Sequence, residues 1–155
     1  MNVNDYLIDQ SEIDWKEMLS DWLWLLPKQF TPWLVNRFGD IFLFYPEGTV
    51  HLFDTGVGRI IKVAENRDHF CELIDEENNA NEWLMIPLID SLAEAGKKLK
   101  KNQCYSFIIY PGLGGKYEPE NIAICDLSVH YSVAGQIFDK IKDIPDGTKI
   151  RFEIK

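Results

Sequence analysis

The sequence predicts an α+β protein in which helices pack on a largely antiparallel sheet of five or six strands. Short apolar runs bounded by glycine and proline turns, which are typical of strands, fill the middle of the chain and recur near its end. Stretches with apolar residues at helical spacing lie before, between and after these runs. No repeat or flexible linker interrupts the 155 residues, 46% of them apolar, so we expect residues 1–155 to form a single domain.

The first helix is expected over residues 11–26. Apolar side chains from Trp15 to Leu26 form one stripe, Ser11 is a candidate N-cap, and Pro27 ends the pattern. Another face carries three acidic side chains, Asp14, Glu17 and Asp21. This acidic face has two interpretations, a solvated surface or a docking surface for a basic partner.

A β-meander follows this helix, and a mixed segment completes the chain. Glycine-containing turns at residues 46–48 and 55–58 separate the strands of the meander. Strands are expected over residues 40–45, 49–54, 59–64, 104–110, 122–129 and 149–154. Further helices are expected over residues 66–74, 80–99 and 132–144. The core of the domain is expected to span residues 32–154. The four lysines after residue 96 are expected to interact favourably with the negative end of the dipole of the 80–99 helix.

The charge balance restricts the classes of partner. The chain carries 16 basic and 25 acidic residues, a formal charge of −9, which argues against binding to nucleic acid or to an anionic membrane surface. A partner with a basic surface is the electrostatic complement. The same charge also serves solubility alone.

The cysteines and the chain termini indicate a reducing compartment. The three cysteines are an odd number at wide spacing, without a CxxC pair, so neither a disulfide framework nor a zinc module is expected. Cys71, Cys104 and Cys125 each lie in an apolar pattern, and we expect them to be buried free thiols. Acidic residues near the N-terminus and the absence of a long apolar run argue against a secretory signal or a membrane span, so we expect a cytoplasmic protein.

The sequence offers little for catalysis. Residues 111–116 read PGLGGK, but Tyr117 stands where a phosphate-binding loop has Ser or Thr, so we interpret this segment as a structured turn. His51, His69 and His130 are expected on a strand, a helix and a strand end, outside any recognisable nucleophile motif. We therefore expect no catalytic residues, no metal and no cofactor.

Several segments carry a family resemblance that spans residues 22–154. The most specific is Leu113–Asn121, which reads LGGKYEPEN, and a later Gly135-Gln136 pair accompanies it. The segment Phe38-Gly39-Asp40 is less specific. With these motifs the chain resembles immunity proteins of type VI secretion DNase effectors, a family first described as a domain of unknown function and with a GAD-like N-terminal region.

The resemblance implies a cytoplasmic antitoxin that binds and neutralises a cognate nuclease by occlusion, without catalysis. It leads to the hypothesis that the toxin is bound by an exposed loop containing Lys116, Tyr117, Glu118 and Glu120, or by the acidic face with Asp14, Glu17 and Asp21. A scaffold role is expected for the other motif residues, namely Phe38, Gly39, Asp40, Leu113, Gly114, Gly115, Asn121 and Gln136. A general protein-interaction domain and a small-ligand-binding domain or enzyme are the alternatives.

Overall fold

Two antiparallel sheets and five α-helices form the part of the chain that the computed structural model describes, residues 2–76 and 78–145. The helices are α1 (Trp15–Met18), α2 (Arg67–Ile74), α3 (Asn79–Trp83), α4 (Ile86–Glu94) and α5 (Leu127–Ile141). The strands are β1 (Thr31–Val35), β2 (Ile41–Phe44), β3 (Val50–Asp54), β4 (Arg59–Ala64), β5 (Gln103–Phe107) and β6 (Ile122–Asp126). The α+β class predicted from the sequence is confirmed.

The first sheet is a four-stranded meander in the order β1-β2-β3-β4. Its last three strands lie within two residues of the predicted bounds. The turns that connect them contain Gly48 and Gly58, whose φ values of 93° and 77° are readily accessible to glycine. The edge strand β1 was not predicted, because Pro32 interrupts its pattern; proline is tolerated there since an edge strand needs fewer backbone donors.

The second sheet contains β5 and β6 alone, so the antiparallel strands are divided between two sheets rather than joined in one. Helix α5 packs on both strands of this pair. Two backbone hydrogen bonds connect this second sheet and the loop between its strands to turns of the first sheet. The Tyr105 N–H donates to the Arg37 carbonyl at 2.8 Å, and the Gly112 N–H donates to the Gly56 carbonyl at 2.9 Å.

The prediction of one continuous helix over residues 11–26 is wrong. The α-helical part is the single turn α1, capped by the Asp14 side chain rather than by Ser11, and a 3₁₀ turn follows at Ser20–Trp22. The reorientation buries Trp22 completely, and its indole N–H donates to the Tyr131 carbonyl at 2.8 Å. Burial of this large ring against α5 therefore outweighs the continuation of a helix.

The predicted 80–99 helix is also wrong, because it is divided into α3 and α4. The break falls at Met85, whose φ of 51° is left-handed, and Pro87 lies in the first turn of α4 where a missing N–H is tolerated. Since α4 ends at Glu94, the lysines do not lie in a last helical turn. Lys97 instead donates through Nζ to the carbonyls of Pro119 and Ile122, at 3.4 and 3.2 Å.

Three element boundaries in the second half of the chain differ from the prediction. Strand β5 ends at Phe107 instead of residue 110, and β6 ends at Asp126 instead of residue 129. Helix α5 begins at Leu127, five residues before the predicted start, so His130 lies on a helix and not at a strand end. The predicted strand at residues 149–154 lies outside the described residues.

The main core lies between the N-terminal turns, the inner strands and α5. Trp22 contacts Phe53 edge-to-face at 4.7 Å between ring centroids, and Phe138 of α5 lies against the same indole at 6.1 Å. A smaller cluster around Phe42 and Phe70 covers the other side of the first sheet. Within the described ranges, no helix has the length and apolar character needed to cross a membrane.

A substitution at Gly135 tests the contact between α5 and the N-terminal turns. An added methyl group would lie 2.7 Å from the Asp21 carbonyl oxygen and 2.9 Å from its Cβ. We expect Gly135→Ala to lower the free energy of unfolding by about 1–3 kcal/mol, although alanine is the better helix former. Urea unfolding measures this change, with Val129→Ala on the exposed side of α5 as the control. Equal or higher stability of Gly135→Ala would contradict the packing.

Candidate functional site

The loop between β5 and β6, residues 108–121, is held closed by one side chain. Asn121 accepts the Ile109 N–H at 2.9 Å through Oδ1, and its Nδ2 donates to the carbonyls of Ile109 and Lys116 at 2.8 and 2.9 Å. The amide thus replaces a missing strand partner at the base of the loop. We refer to this segment as the signature loop.

The glycines of the signature loop have distinct structural roles. An added Cβ at Gly115 would lie 1.7 Å from the Ile109 carbonyl oxygen, so no larger residue fits there without displacing the backbone. Gly114 has a φ of 94°, and Leu113 packs against the main core. These residues and Asn121 shape the loop.

The tip of the signature loop presents a mixed surface. Lys116, Tyr117, Glu118 and Glu120 are all exposed. Tyr117 is 48% exposed, and the inner edge of its ring packs on Phe107 at 5.4 Å between centroids. Burial of part of this side chain, with smaller effects of Asp54 and Asp40, raises the pKa of Tyr117 to about 12.

Two isoleucines add an apolar element that sequence reasoning missed. Ile108 and Ile109 are 66% and 54% exposed at the start of the signature loop. Both residues fall within the strand predicted over residues 104–110, where apolar residues are ordinary. The signal that distinguishes them is their position directly before the tyrosine, proline and glycines of residues 110–115.

Tyr117 also lines a cavity of about 340 Å³, which we call the Tyr117 cleft. Its acidic groups are Asp40, Asp54 and Glu82, and its apolar walls include Trp83 and Leu88. Burial raises the pKa of Asp54, although the N–H groups of the following turn donate to its carboxylate. Of these residues only Asp40 and Tyr117 were singled out from the sequence, because the others come from separate elements that only the fold brings together.

The three acidic residues near the N-terminus also meet at one cavity. Asp14, Glu17 and Asp21 line a groove of about 770 Å³ that includes Asp126 and Ser128. We call it the N-terminal groove. The Asp14 carboxylate accepts the Glu17 N–H at 3.4 Å, so this residue also caps α1. The three acidic side chains share this groove because the chain turns after α1, and not because they lie on one face of a continuous helix.

The signature loop and the N-terminal groove lie at opposite ends of β6. The loop ends at Asn121, immediately before the strand, and Asp126 is the last residue of the strand. At about 3.4 Å per residue, the two ends are about 14 Å apart along the strand. They are therefore two separate candidate surfaces.

A buried chain of hydrogen bonds runs below the Tyr117 cleft. Asp40 Oδ1 accepts from the Thr55 hydroxyl at 2.8 Å, Thr55 Oγ1 contacts His130 Nε2 at 2.8 Å, and His130 Nδ1 contacts Ser106 Oγ at 2.8 Å. Asn36 Nδ2 donates to the other Asp40 oxygen at 3.2 Å. The chain connects the β1–β2 turn, the segment after β3, β5 and α5.

This chain of groups has two consistent proton arrangements. When Asp40 is ionised, Thr55 donates to it, His130 Nε2–H donates to Thr55, and Nδ1 accepts from Ser106. When Asp40 is protonated, its carboxyl group donates to Thr55, the Thr55 hydroxyl donates to His130 Nε2, and His130 Nδ1–H donates to Ser106. Burial, and secondarily the nearby Asp54, raises the pKa of Asp40 to about 8.

Two cysteines adjoin His130. Cys104 and Cys125 are directly opposite each other on β5 and β6, and their sulfurs and a His130 ring nitrogen lie within 4.8 Å of one another. The Cys104 thiol, together with His130 and Ser106, lowers the pKa of Cys125, whereas the pKa of Cys104 is raised. Burial of Cys104 is confirmed, Cys125 is half-buried, and the expectation for Cys71 is wrong because it lies on the solvent face of α2.

The remaining motif residues support this interior. Phe38 is fully buried and stacks on Phe107 at 5.3 Å. Gly39 has a φ of 80°, and its carbonyl accepts the Tyr131 hydroxyl at 2.7 Å. Gln136 is half-buried on α5 and donates to Ser132 Oγ at 3.0 Å.

Residues 64–138 are similar to immunity proteins of the type VI secretion system. They match the family model described as T6SS immunity protein Tdi1, C-terminal, in a segment that runs from the end of β4 through the signature loop to α5. The resemblance to type VI secretion immunity proteins predicted from the sequence is confirmed over these residues. A search of curated proteins found no match to the chain.

The buried carboxyl group predicts a specific pH dependence of stability. The pKa of Asp40 is about 8 in the folded protein against a reference of 3.8, so between these values the folded state holds a proton that the unfolded chain releases. The contribution of Asp40 to the free energy of unfolding therefore falls as pH rises through this window. Asp40→Asn cannot titrate and removes this contribution.

Urea unfolding of both proteins from about pH 5 to about pH 8 checks this expectation. We expect the stability of the native protein to decline relative to that of Asp40→Asn as pH rises. Parallel stability profiles would show that Asp40 is ionised throughout.

Proposed function

We propose that the protein is an immunity protein that binds and neutralises a toxin of the type VI secretion system, a nuclease effector, in the cytoplasm of the cell that makes it. The observation that carries the proposal is the family match over residues 64–138, because the matched segment contains the signature loop with its exposed Tyr117. Inhibition by occlusion requires a complementary surface and no chemical step.

Charge supports a nuclease as the partner. A nuclease that holds DNA presents a basic surface, and a protein with a formal charge of −9 is attracted to it. The carboxylates of Asp54 and Glu82 line the Tyr117 cleft, where an arginine or lysine side chain of the toxin would find an acidic environment. We propose that this cleft and the signature loop form the toxin-binding surface.

Tyr117 has the properties of a binding anchor. Its ring packs against Phe107 and is otherwise partly exposed, and the same loop also exposes Ile108 and Ile109. Aromatic side chains surrounded by polar groups are typical of the residues that dominate binding energy at interfaces. Glu118 and Glu120 on the same loop provide a polar rim.

The arrangement of the buried polar groups supports a non-catalytic role. Ser106, His130 and Asp40 are residue types found in hydrolases, but Thr55 separates the histidine from the carboxylate. All four residues are buried, and both ring nitrogens of His130 already have partners. The group therefore serves to join strands and helix.

The size of the Tyr117 cleft favours small-ligand binding as a second candidate function. Its volume of about 340 Å³ lies within the range of small-ligand pockets. Its lining, mostly apolar with a few acidic groups, is also typical of such pockets. Native mass spectrometry of the purified protein distinguishes this function, because a retained small molecule that Leu88→Trp displaces would support it.

Co-expression tests the immunity function. We expect cells that produce the toxin encoded beside this gene to survive when the protein is present and to die when it is absent. A catalytically inactive toxin should also co-purify with the protein in a stable complex. Continued killing despite normal levels of folded protein would reject the proposal.

Substitutions in the two candidate surfaces show which of them binds the toxin. We expect Tyr117→Ala to raise the dissociation constant at least about 10-fold, and Glu118→Lys with Glu120→Lys to slow association most strongly at low salt. Asp14→Lys with Glu17→Lys should have little effect, and Glu94→Lys on α4 is the matched charge-reversal control. Calorimetry or surface plasmon resonance with inactive toxin measures these constants.

The opposite pattern of effects on the dissociation constants would assign the toxin-binding surface to the other candidate. Weaker binding after substitution of the N-terminal groove alone would assign the toxin to that groove. If neither set of substitutions changed the dissociation constant, both proposed surfaces would be rejected. The immunity function itself would still be decided by the co-expression experiment.

A further inference from the structure

The thiols of Cys104 and Cys125 and the ring of His130 converge between the second sheet and α5. One donor atom from each lies within 4.8 Å of the other two. Cys104 is fully buried and Cys125 half-buried, on opposite strands, and His130 is 1% exposed on α5. We propose that these three residues form a binding site for a soft metal ion of the zinc type, independent of toxin binding.

The strand register favours a shared metal over a disulfide. Backbone hydrogen bonds join Asn102 to Leu127 and Ile108 to Asn121. In an antiparallel pair every second pair of opposed residues is hydrogen-bonded, and Cys104–Cys125 lies two positions along from Asn102–Leu127. The Tyr105 N–H correspondingly points away from β6, to Arg37. Cys104 and Cys125 are therefore a hydrogen-bonded pair, in which the Cβ atoms are about 5.5 Å apart.

This separation suits a bridging ion. A disulfide needs Cβ atoms about 3.5–4.5 Å apart, which is shorter than a hydrogen-bonded pair provides. Two thiolates on a tetrahedral zinc, each at about 2.3 Å from the ion, have sulfurs about 3.8 Å apart. The pair can reach this distance by side-chain rotation without drawing the strands together.

The histidine is oriented as a metal ligand would be. Ser106 lies two residues after Cys104, on the same face of β5, and contacts Nδ1, so this nitrogen faces the cysteines. The other nitrogen contacts Thr55, which in turn contacts the Asp40 carboxylate. Metal-binding histidines usually donate their second N–H to such a group, which fixes the ring.

The donor set determines the class of ion. Two thiolates and an imidazole favour zinc or other soft ions over magnesium and calcium, which prefer oxygen. Ser106 Oγ is 2.8 Å from Nδ1, on the side of the ring that the ion would take, so on metal binding this hydroxyl either rotates away from Nδ1 or becomes the fourth ligand. A bound ion would connect β5, β6 and α5, the three elements that carry the signature loop at their edge.

Titration of the full-length, reduced, metal-free protein with Zn²⁺ and Co²⁺ tests the site. We expect one equivalent to bind, with thiolate-to-cobalt charge-transfer absorption and the visible bands of a tetrahedral ion. Cys125→Ser should weaken binding at least about 100-fold, and Thr55→Val about 10- to 100-fold, since it removes only the orienting partner. Cys71→Ser, on the surface of α2, is the matched control and should bind normally.

Circular dichroism and thermal unfolding of each variant show whether it is folded. Zn²⁺ should raise the melting temperature of the native and Cys71→Ser proteins by the same amount, that of Thr55→Val by less, and that of Cys125→Ser least. The proposal is overturned if the folded native protein binds no ion or if Cys125→Ser binds as well as the native chain. It is equally overturned if mass spectrometry finds a Cys104–Cys125 disulfide as the stable form in the presence of zinc and reductant.

Discussion

The hydrogen bond between Thr55 Oγ1 and His130 Nε2, at 2.8 Å, is the contact on which the arrangement of the two sheets and α5 depends. One side of it leads to Asp40 and the first sheet, and the other leads through the imidazole to Ser106 and the second sheet. Each of these groups is buried, so loss of one partner would leave the next unsatisfied at a cost of about 1–3 kcal/mol. The polar chain thus specifies the relative position of elements that apolar packing alone would allow to slide.

The same chain connects the interior with the proposed binding surface. Asp40 accepts hydrogen bonds from Thr55 in the core and also lines the Tyr117 cleft. Tyr117 packs on Phe107, which stacks on Phe38 beside Gly39 and Asp40. The Phe-Gly-Asp segment and the signature loop, which are at least 68 residues apart in sequence, are therefore two parts of one structural unit.

Sequence reasoning succeeded where local patterns and tertiary structure agree. Strands β2 to β4 have alternating or continuous apolar residues between glycine turns, and α2 begins after Asn66, a good N-cap; all were predicted within two residues. The errors fall where tertiary contacts outweigh local preference. Trp22 leaves the helical path to reach the core, and Met85 adopts a left-handed conformation before Pro87.

The candidate site was accessible from sequence only in part. Tyr117 and the glutamates of the signature loop could be named because they lie together in a distinctive motif. The acidic and apolar walls of the cleft could not, because Asp54, Glu82 and Trp83 have no common pattern until β3 and α3 are placed in space. The pairing of Cys104 with Cys125 likewise depends on the register of β5 and β6, which spacing alone does not reveal.

The closure of the signature loop by Asn121 has a consequence for the kinetics of recognition. Three side-chain hydrogen bonds and the close approach of Gly115 to Ile109 fix the backbone during folding, so a partner meets a loop that is already ordered. Little conformational entropy is then lost on association, and binding approaches a lock-and-key process. A preorganised loop of this kind lets an inhibitor capture its target at the first productive collision, before the target can act on another molecule.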